Sequence, residues 1–410
     1  MVKWIVIGIC ILSCIRQAVC IILNDIAVKR PLPENVRDVY DEAEYKKFMN
    51  YRNESNRLGI IKEIVNVIVM AVLLALNVHS ALYAVLPGNM IVKNILLLLV
   101  FETALMIIDI PFAYADTFVI EEKYGMNKTT IKTFIYDQIK EIILGNLLSI
   151  LIMMAILGIF EWLGNKGIIL VIAAGAAFLI IANFLSVFFM RIFNKFTPLE
   201  DGELKTSLIG LCEKYGVTVK SVSVMDASRR TTKANAFCTG LGNKKSIALY
   251  DNLVEKFTPG QIVAVFAHEF AHAKFKHGSK QMFVNLITVS LYVLIIAGIL
   301  NCPALFTSFG FEKANYYFAF TLFSNISWPI LMLTETLFNF FSRKHEYQAD
   351  AFAAREGYGD ELVSSLKQLT RDNLGNLNPH PVIVAMEYSH PTVSQRITAI
   401  ETEKKHEKNV

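Results

Sequence analysis

The chain has 410 residues, of which 54% are hydrophobic and only 19% charged, and its mean hydropathy is +0.42. Soluble domains carry roughly a quarter charged residues, so an ordinary water-soluble globule is excluded, and the long apolar runs point to a multi-span membrane protein. A net charge of +4, with no basic patch interleaved with aromatic residues, leaves no footprint for nucleic acid.

A membrane-crossing helix needs about 20 mainly apolar residues. Seven segments qualify, at about 2–23, 60–87, 90–113, 142–163, 168–190, 281–301 and 315–340. The first follows Lys3 as a secretory signal would. Its apolar run resumes beyond Arg16 as Ala18-Val19-Cys20-Ile21-Ile22-Leu23 with no small-x-small cleavage site, and a retained helix is preferred. Polar residues inside the spans (Asn77, His79, Glu102, Asp109, Asn183, Asn325 and Glu335) are costly against lipid, so they face one another or a wet cavity. For each alone, interhelical hydrogen bonding is the simpler reading.

The loops after spans one, three, five and seven are rich in Lys and Arg, from Lys29 and Arg30 through Lys123, Lys128 and Lys132 to Arg191 and Lys195. On the other face Pro87 to Asn89, Gly164 to Lys166 and the stretch after Asn301 are short and nearly uncharged. The positive-inside rule therefore puts 191–280 and 341–410 in the cytoplasm and the N-terminus outside. Cys10, Cys14, Cys20, Cys212, Cys238 and Cys302 form no C-x-x-C pair and read as small apolar packing residues.

Gln261 to His272 has helical periodicity, with Thr258 as cap and Pro259 in the first turn. His268 and His272 are one turn apart, so both imidazoles project from one face and reach one Zn²⁺. Glu269 is displaced by one position, as suits a general base acting on water beside the metal rather than a ligand. A catalytic zinc needs a third protein ligand. His277 lies about 140° away if the helix continues. Glu346 is the better candidate, in Ser342-Arg343-Lys344-His345-Glu346-Tyr347-Gln348-Ala349-Asp350, with Asp350 on the same face to orient a ligating histidine. His345, the rival, projects about 100° away.

At these residues the sequence resembles the type 1 membrane CAAX prenyl proteases, integral-membrane gluzincins, over nearly its whole length. His268-Glu269-x-x-His272 with His277, Ser342-Arg343-x-x-Glu346-Tyr347-x-Ala349-Asp350, Tyr388-Ser389-His390-Pro391-Thr392 with Arg396, and Asn235-Ala236-Phe237 with Gly240 carry the likeness. So do Leu32-Pro33-Glu34 and the run Phe118 to Asn127, while Ala273 stands where the family often has Trp.

The resemblance implies a mainly α fold with seven transmembrane helices around a water-filled chamber. Residues 1–190 would form a membrane domain of five spans. Residues 191–410 would form a zinc peptidase domain of helices and a small β element on the cytoplasmic side, including the two further spans. It implies roles too: His390 on the tetrahedral oxyanion, Asn235 and Ala236 pairing with substrate backbone, Arg396 and His277 supporting the site. The expected partners are the lipid bilayer and a peptide or protein substrate, C-terminally prenylated if the likeness extends that far. The expected membrane is the endoplasmic reticulum in a eukaryote and the cell membrane in a bacterium. An HtpX-like quality-control protease and a non-catalytic zinc-stabilised membrane protein are the alternatives.

Overall fold

The computed structural model describes residues 1–229, 235–239 and 244–408, except for the side chains at 165, 182–193, 229, 239, 244, 407 and 408. Gly240 and the side chains of Asn183 and Arg191 lie outside the described residues. The protein is mainly helical. In chain order the helices are α1 (Val2–Val28), α2 (Glu42–Ala75), α3 (Val78–Val85), α4 (Met90–Tyr114), α5 (Ile131–Leu163), α6 (Gly167–Phe193), α7 (Glu203–Lys214), α8 (Asp251–Lys256), α9 (Pro259–Lys274), α10 (His277–Leu300), α11 (Pro303–Thr307), α12 (Tyr316–Ile326), α13 (Trp328–Ala353), α14 (Gly359–Asp372), α15 (Pro381–Glu387) and α16 (Val393–Lys408). Four strands, β1 (Phe196–Pro198), β2 (Thr218–Met225), β3 (Ala236–Thr239) and β4 (Lys244–Tyr250), complete the fold.

Two compact units divide the chain. The first comprises Met1–Ile22, Tyr51–Leu179 and Asn285–Thr334; the second comprises Leu23–Asn50, Ile180–Val284 and Glu335–Val410.

The first unit buries Val6, Ile7, Leu74, Phe306, Phe309 and Phe318 in one cluster and Leu97, Leu98, Phe101, Met153 and Leu157 in another. Its helices also expose long apolar rows, such as Ile61, Ile64, Ile68 and Val72 on α2 and Ile143, Leu144, Leu147, Leu148 and Leu151 on α5. Apolar exposure on this scale fits lipid, not water. Among the described residues, five helices are long and apolar enough to cross a bilayer: Val2–Val28, Glu42–Ala75, Met90–Glu121, Ile131–Leu163 and His277–Leu300.

The expected span at 315–340 is instead two helices meeting at 61°, which makes a sixth if the pair counts as one. The segment at 168–190 lies partly outside the described side chains, and its described apolar helix is Gly167–Ile181. The span read as 60–87 also breaks early. Asn77 takes a left-handed backbone (φ 57°, ψ 33°) between α2 and α3. Lys3 Nζ secures that break by donating to Ala75 O at 3.3 Å and Asn77 Oδ1 at 2.6 Å; cations near a helix C-terminus stabilise its last carbonyls.

Some of the polar residues within the spans find neighbours inside the first unit. Lys62 pairs with Asp109 at 3.2 Å, and Asn325 takes Cys10 Sγ and donates to Thr321 O. His79 stacks on Phe101 with ring centroids 4.0 Å apart.

The second unit is built on a sheet of order β1-β2-β4-β3, in which β2 and β4 run parallel and β1 and β3 pair antiparallel with their neighbours. Its core joins Leu208 and Leu211 of α7, Val222, Ile247 and Leu249 of the sheet, Phe352 of α13, and Leu362 and Leu366 of α14 around α9. That helix is buried along nearly its whole length from Gln261 to Ala271, which accounts for the unbroken apolar run Ile262 to Ala267. The sequence cap is as expected: Thr258 Oγ1 accepts from Gln261 N at 3.3 Å, and Gln261 Oε1 accepts from Thr258 N at 2.9 Å, with Pro259 opening the helix. Such a reciprocal cap satisfies two donors that the helix leaves free. Phe266 and Phe270 are buried to within 1%, and truncating either to Ala would cost about 3–5 kcal/mol.

The segment Leu23–Asn50 belongs to this second unit. Val28, Val36, Val39, Tyr40 and Phe48 share a core with Leu377 and Ile397. Asn35 Nδ2 donates to Ser394 O (2.9 Å) and Thr398 Oγ1 (3.1 Å), and Asn35 Oδ1 accepts from Ser394 Oγ (2.8 Å), fastening α16.

Candidate metal centre

Two histidines one turn apart on the rigid, buried α9 meet a carboxylate from α13. The Nε2 atoms of His268 and His272 are 3.1 Å apart. Glu346 sets Oε2 3.4 Å from His268 Nε2 and Oε1 3.3 Å from His272 Nε2. Ligand atoms of the three residues all lie within 4.8 Å of one another, and among the described residues no other set of His, Cys, Asp or Glu does so.

Asp350, one turn beyond Glu346 and fully buried, fixes the first histidine. Arg396 from α16 grips it with Nε donating to Oδ2 at 2.8 Å and Nη2 to Oδ1 at 2.6 Å. A carboxylate paired this way can only accept, so the 2.9 Å contact of Asp350 Oδ1 with His268 Nδ1 places a proton on Nδ1 and leaves Nε2 facing the centre.

The donor set suits a divalent cation. Glu346 Oε2 is buried with no hydrogen-bond partner and has Arg396 Nη1 at 3.8 Å, and two ring nitrogens and a carboxylate oxygen converge beside it. Nitrogen and carboxylate ligands of this kind are those of catalytic zinc.

The two histidines differ in charge. Burial and the Arg396 charge oppose protonation of His268, but hydrogen bonds to Asp350 and Glu346 outweigh them and carry it up to about 9. His272 is pushed down to about 4 by burial and by the charge on His268. A metal held by His268 would displace that proton. Glu269, the next residue on α9, has its carboxyl raised above the usual range by burial and the Glu346 charge, against His268 and Arg396. That shift suits a group that must take up a proton near neutral pH.

His390 precedes α16, with Nε2 3.4 Å from Glu346 Oε1 and Nδ1 2.9 Å from Ser389 Oγ. Arg343, one turn before Glu346, clasps the end of α15 by donating to Val384 O (2.9 Å), Tyr388 O (2.6 Å) and Ala385 O (3.1 Å). Asn339 Nδ2 adds Met386 O at 2.9 Å. One helix thus supplies Glu346 and holds the segment that brings up His390.

Asn235 and Ala236 begin β3, the strand at one end of the sheet order. Asn235 O accepts from Tyr250 N at 2.9 Å, and its Oδ1 accepts from Ala236 N at 2.9 Å. Alternation along an antiparallel ladder turns the C=O of Ala236 and the N–H and C=O of Cys238 to the strand's other edge, where an added strand can pair.

His277 comes close after all. The angle of about 140° applies only along one continuous helix. Here α9 stops at Lys274, and Lys276 takes a left-handed φ of 56°. The chain thereby turns back, setting His277 Nδ1 3.0 Å from His272 Nδ1, on the side away from Nε2. Its Nε2 lies 3.0 Å from Gln348 Oε1. His345, the rival third ligand, stacks on His277 at 4.1 Å between centroids. Gln348, Arg343 as a clasp, Ser389 and Asn35 carry contacts to which the sequence assigned no role; only their closeness to the motif residues could have drawn notice.

Residues 23–195 match the family model described as CAAX prenyl protease N-terminal, five membrane helices, and residues 198–404 match that of peptidase family M48. The CAAX prenyl protease 1 of Saccharomyces cerevisiae is 30% identical over 408 residues, covering 92% of this chain and 90% of that protein. A CAAX prenyl protease 1 homolog of Arabidopsis thaliana is 31% identical, covering 92% of each. The crystal structure of S. mikatae Ste24p superposes with a TM-score of 0.89 at 27% identity, over 98% of this chain and 99% of that one. With two family models meeting end to end, apolar helices in the first and a His-His-Glu cluster in the second, the chain belongs to peptidase family M48 and is an integral, multi-pass membrane metallopeptidase.

Proposed function

We propose that this chain is a zinc metalloendopeptidase that cleaves near the C-terminus of prenylated CAAX substrates. The observation that carries the chemistry is the convergence of His268, His272 and Glu346 on one point, with Glu269 beside it on the same helix. The substrate class is supported by relatives named CAAX prenyl protease 1 that align over about nine-tenths of both chains.

His268, His272 and Glu346 hold the metal. Zinc held there would supply a Lewis acid, which would make water nucleophilic near neutral pH and polarise the scissile carbonyl. Glu269 takes the proton from the attacking water and returns it to the leaving amine. His390, held through Ser389 and the Arg343 clasp, donates to the oxyanion. An extended substrate pairs with the edge of β3 turned away from β4, at Asn235 and Ala236, which orients its carbonyl. Asp350 and Arg396 keep His268 in the ligating tautomer.

The membrane reading is completed by α6 and the bent pair α12–α13, giving seven spans around a water-filled chamber whose apolar surface accepts the prenyl chain. The peptidase domain, from about residue 191 to the C-terminus, lies on the cytoplasmic face, as the Lys- and Arg-rich loops favour. A boundary near 190 is supported by the two family models meeting between 195 and 198. Residues 23–50 precede that boundary but pack in the second unit.

The test is cleavage of matched C-terminal peptides with and without a farnesyl group by the purified full chain, alongside Glu269→Gln. The parent is expected to prefer the farnesylated peptide, and Glu269→Gln to cleave neither while still holding zinc. Equal cleavage of the two peptides would overturn the prenyl assignment. Undiminished cleavage by Glu269→Gln would overturn the assignment of the base.

A further inference from the structure

Resting on the assignment of His268, His272 and Glu346 as zinc ligands, we propose that His277 and Gln348 form a neutral relay that fixes the ligating tautomer of His272. The neighbour of His272 Nδ1 is another imidazole, His277 Nδ1 at 3.0 Å. Two ring nitrogens at that distance share one proton, and something must decide which ring owns it.

Gln348 decides. Its Oε1 lies 3.0 Å from His277 Nε2, and an amide oxygen can only accept. His277 therefore carries its proton on Nε2 and presents a bare Nδ1. That Nδ1 accepts from His272 Nδ1–H, and His272 Nε2 is left with its lone pair toward Glu346 and His268. With the Gln348 amide reversed, an N–H would face His277 Nε2 and each proton would move one place along. His272 would then carry hydrogen on Nε2, the state that cannot bind a metal.

The relay is well held where it must be. His277 is 4% exposed, and its ring lies 14° from parallel with His345, 4.1 Å between centroids. The left-handed Lys276 brings it back against α9. Gln348 is on the exposed side of α13, two residues from both Glu346 and Asp350. One helix thus supplies a zinc ligand and the outer support of each histidine. Water can partly replace an exposed amide oxygen, so Gln348 contributes less than buried His277.

The experiment measures zinc affinity of the full chain in detergent, stripped of metal and titrated against a competing chromogenic chelator, with thermal unfolding of each metal-free variant alongside. His277→Phe keeps a flat ring against His345 but cannot accept, and should weaken zinc binding by about 10–100-fold. Gln348→Leu should weaken it by about two- to tenfold, the range of one net hydrogen bond, with the metal-free unfolding midpoint unchanged. Gln348→Glu, which keeps the acceptor, should bind as the parent does. Because Gln348 acts through His277, adding Gln348→Leu to His277→Phe should weaken binding no further. Parental affinity in Gln348→Leu would overturn the relay, as would its full effect persisting in the His277→Phe background. A parent chain that takes up no zinc would instead overturn the ligand assignment on which the relay depends.

Discussion

His268 and His272 leave the same helix one turn apart and offer the same atom to the same point, yet opposite means hold them. Behind His268 stands a buried ion pair, Asp350 with Arg396, in which every short contact is charge-assisted. Behind His272 stands a chain of neutral groups, His277 and then Gln348. The charged support lets His268 keep a proton up to about 9, whereas His272 drops to about 4. Two ligating histidines thus need only the same tautomer, not the same electrostatics: the charged side adds basicity at the cost of a buried ion pair, and the neutral side avoids a further buried charge.

The largest effect should come from Glu269, which belongs to neither support. Glu269→Gln should lower kcat by about 10²–10⁴-fold, the usual span of a positioned base, with zinc affinity within a few-fold of the parent. Loss of zinc along with activity would show that Glu269 helps hold the metal.

Removing the charged support should come next. Asp350→Ala leaves Arg396 buried without its partner, at about 3–5 kcal/mol in stability. Asp350→Asn, which keeps the shape, should weaken zinc binding by about 10–100-fold. Calorimetry and metal competition would separate the two. If Asp350→Asn binds zinc no worse than Gln348→Leu, the two supports carry equal weight and the contrast disappears.

The contrast also sets a pH dependence. His268 must lose its proton to ligate and is protonated below about 9; His272, at about 4, is already neutral at pH 5. Zinc affinity should therefore rise by about tenfold per pH unit between roughly pH 5 and 8, as one proton is released per metal bound. In Asp350→Asn the rise should level off at lower pH. A flat profile in the parent would mean that His268 carries no such proton.

The smallest effect belongs to Asn35, whose bonds to Ser394 and Thr398 steady α16 and with it Arg396. Asn35→Ala should cost about 1 kcal/mol, seen as a slightly lower Tm. Activity should fall by a few-fold without loss of zinc. No change in either quantity would confine the segment Leu23–Asn50 to a packing role.

Much of the site was legible in the sequence because its decisive spacings are local. His268 and His272 share a helix face whatever surrounds them, Glu346 and Asp350 do the same, and Thr258 with Gln261 caps the first helix through bonds spanning three residues. Apolar runs likewise marked the membrane segments, since burial in lipid needs only length and composition. Where a helix stops is less local. Asn77 breaks one expected span, the 61° bend after Ile326 breaks another, and Lys276 turns the chain between α9 and α10. Only the second has a proline beside it, Pro329 in the first turn of α13.

By itself, then, the sequence put His268 and His272 on one helix face with Glu269 beside them, and Glu346 and Asp350 one turn apart, because helical geometry fixes which side chains share a face. Only the tertiary structure decided what stands behind each histidine. Hydrogen bonds such as Arg396 to Asp350 and His277 to Gln348 join residues 46 and 71 positions apart. No periodicity reaches that far; the packing of α13 and α16 against α9 does.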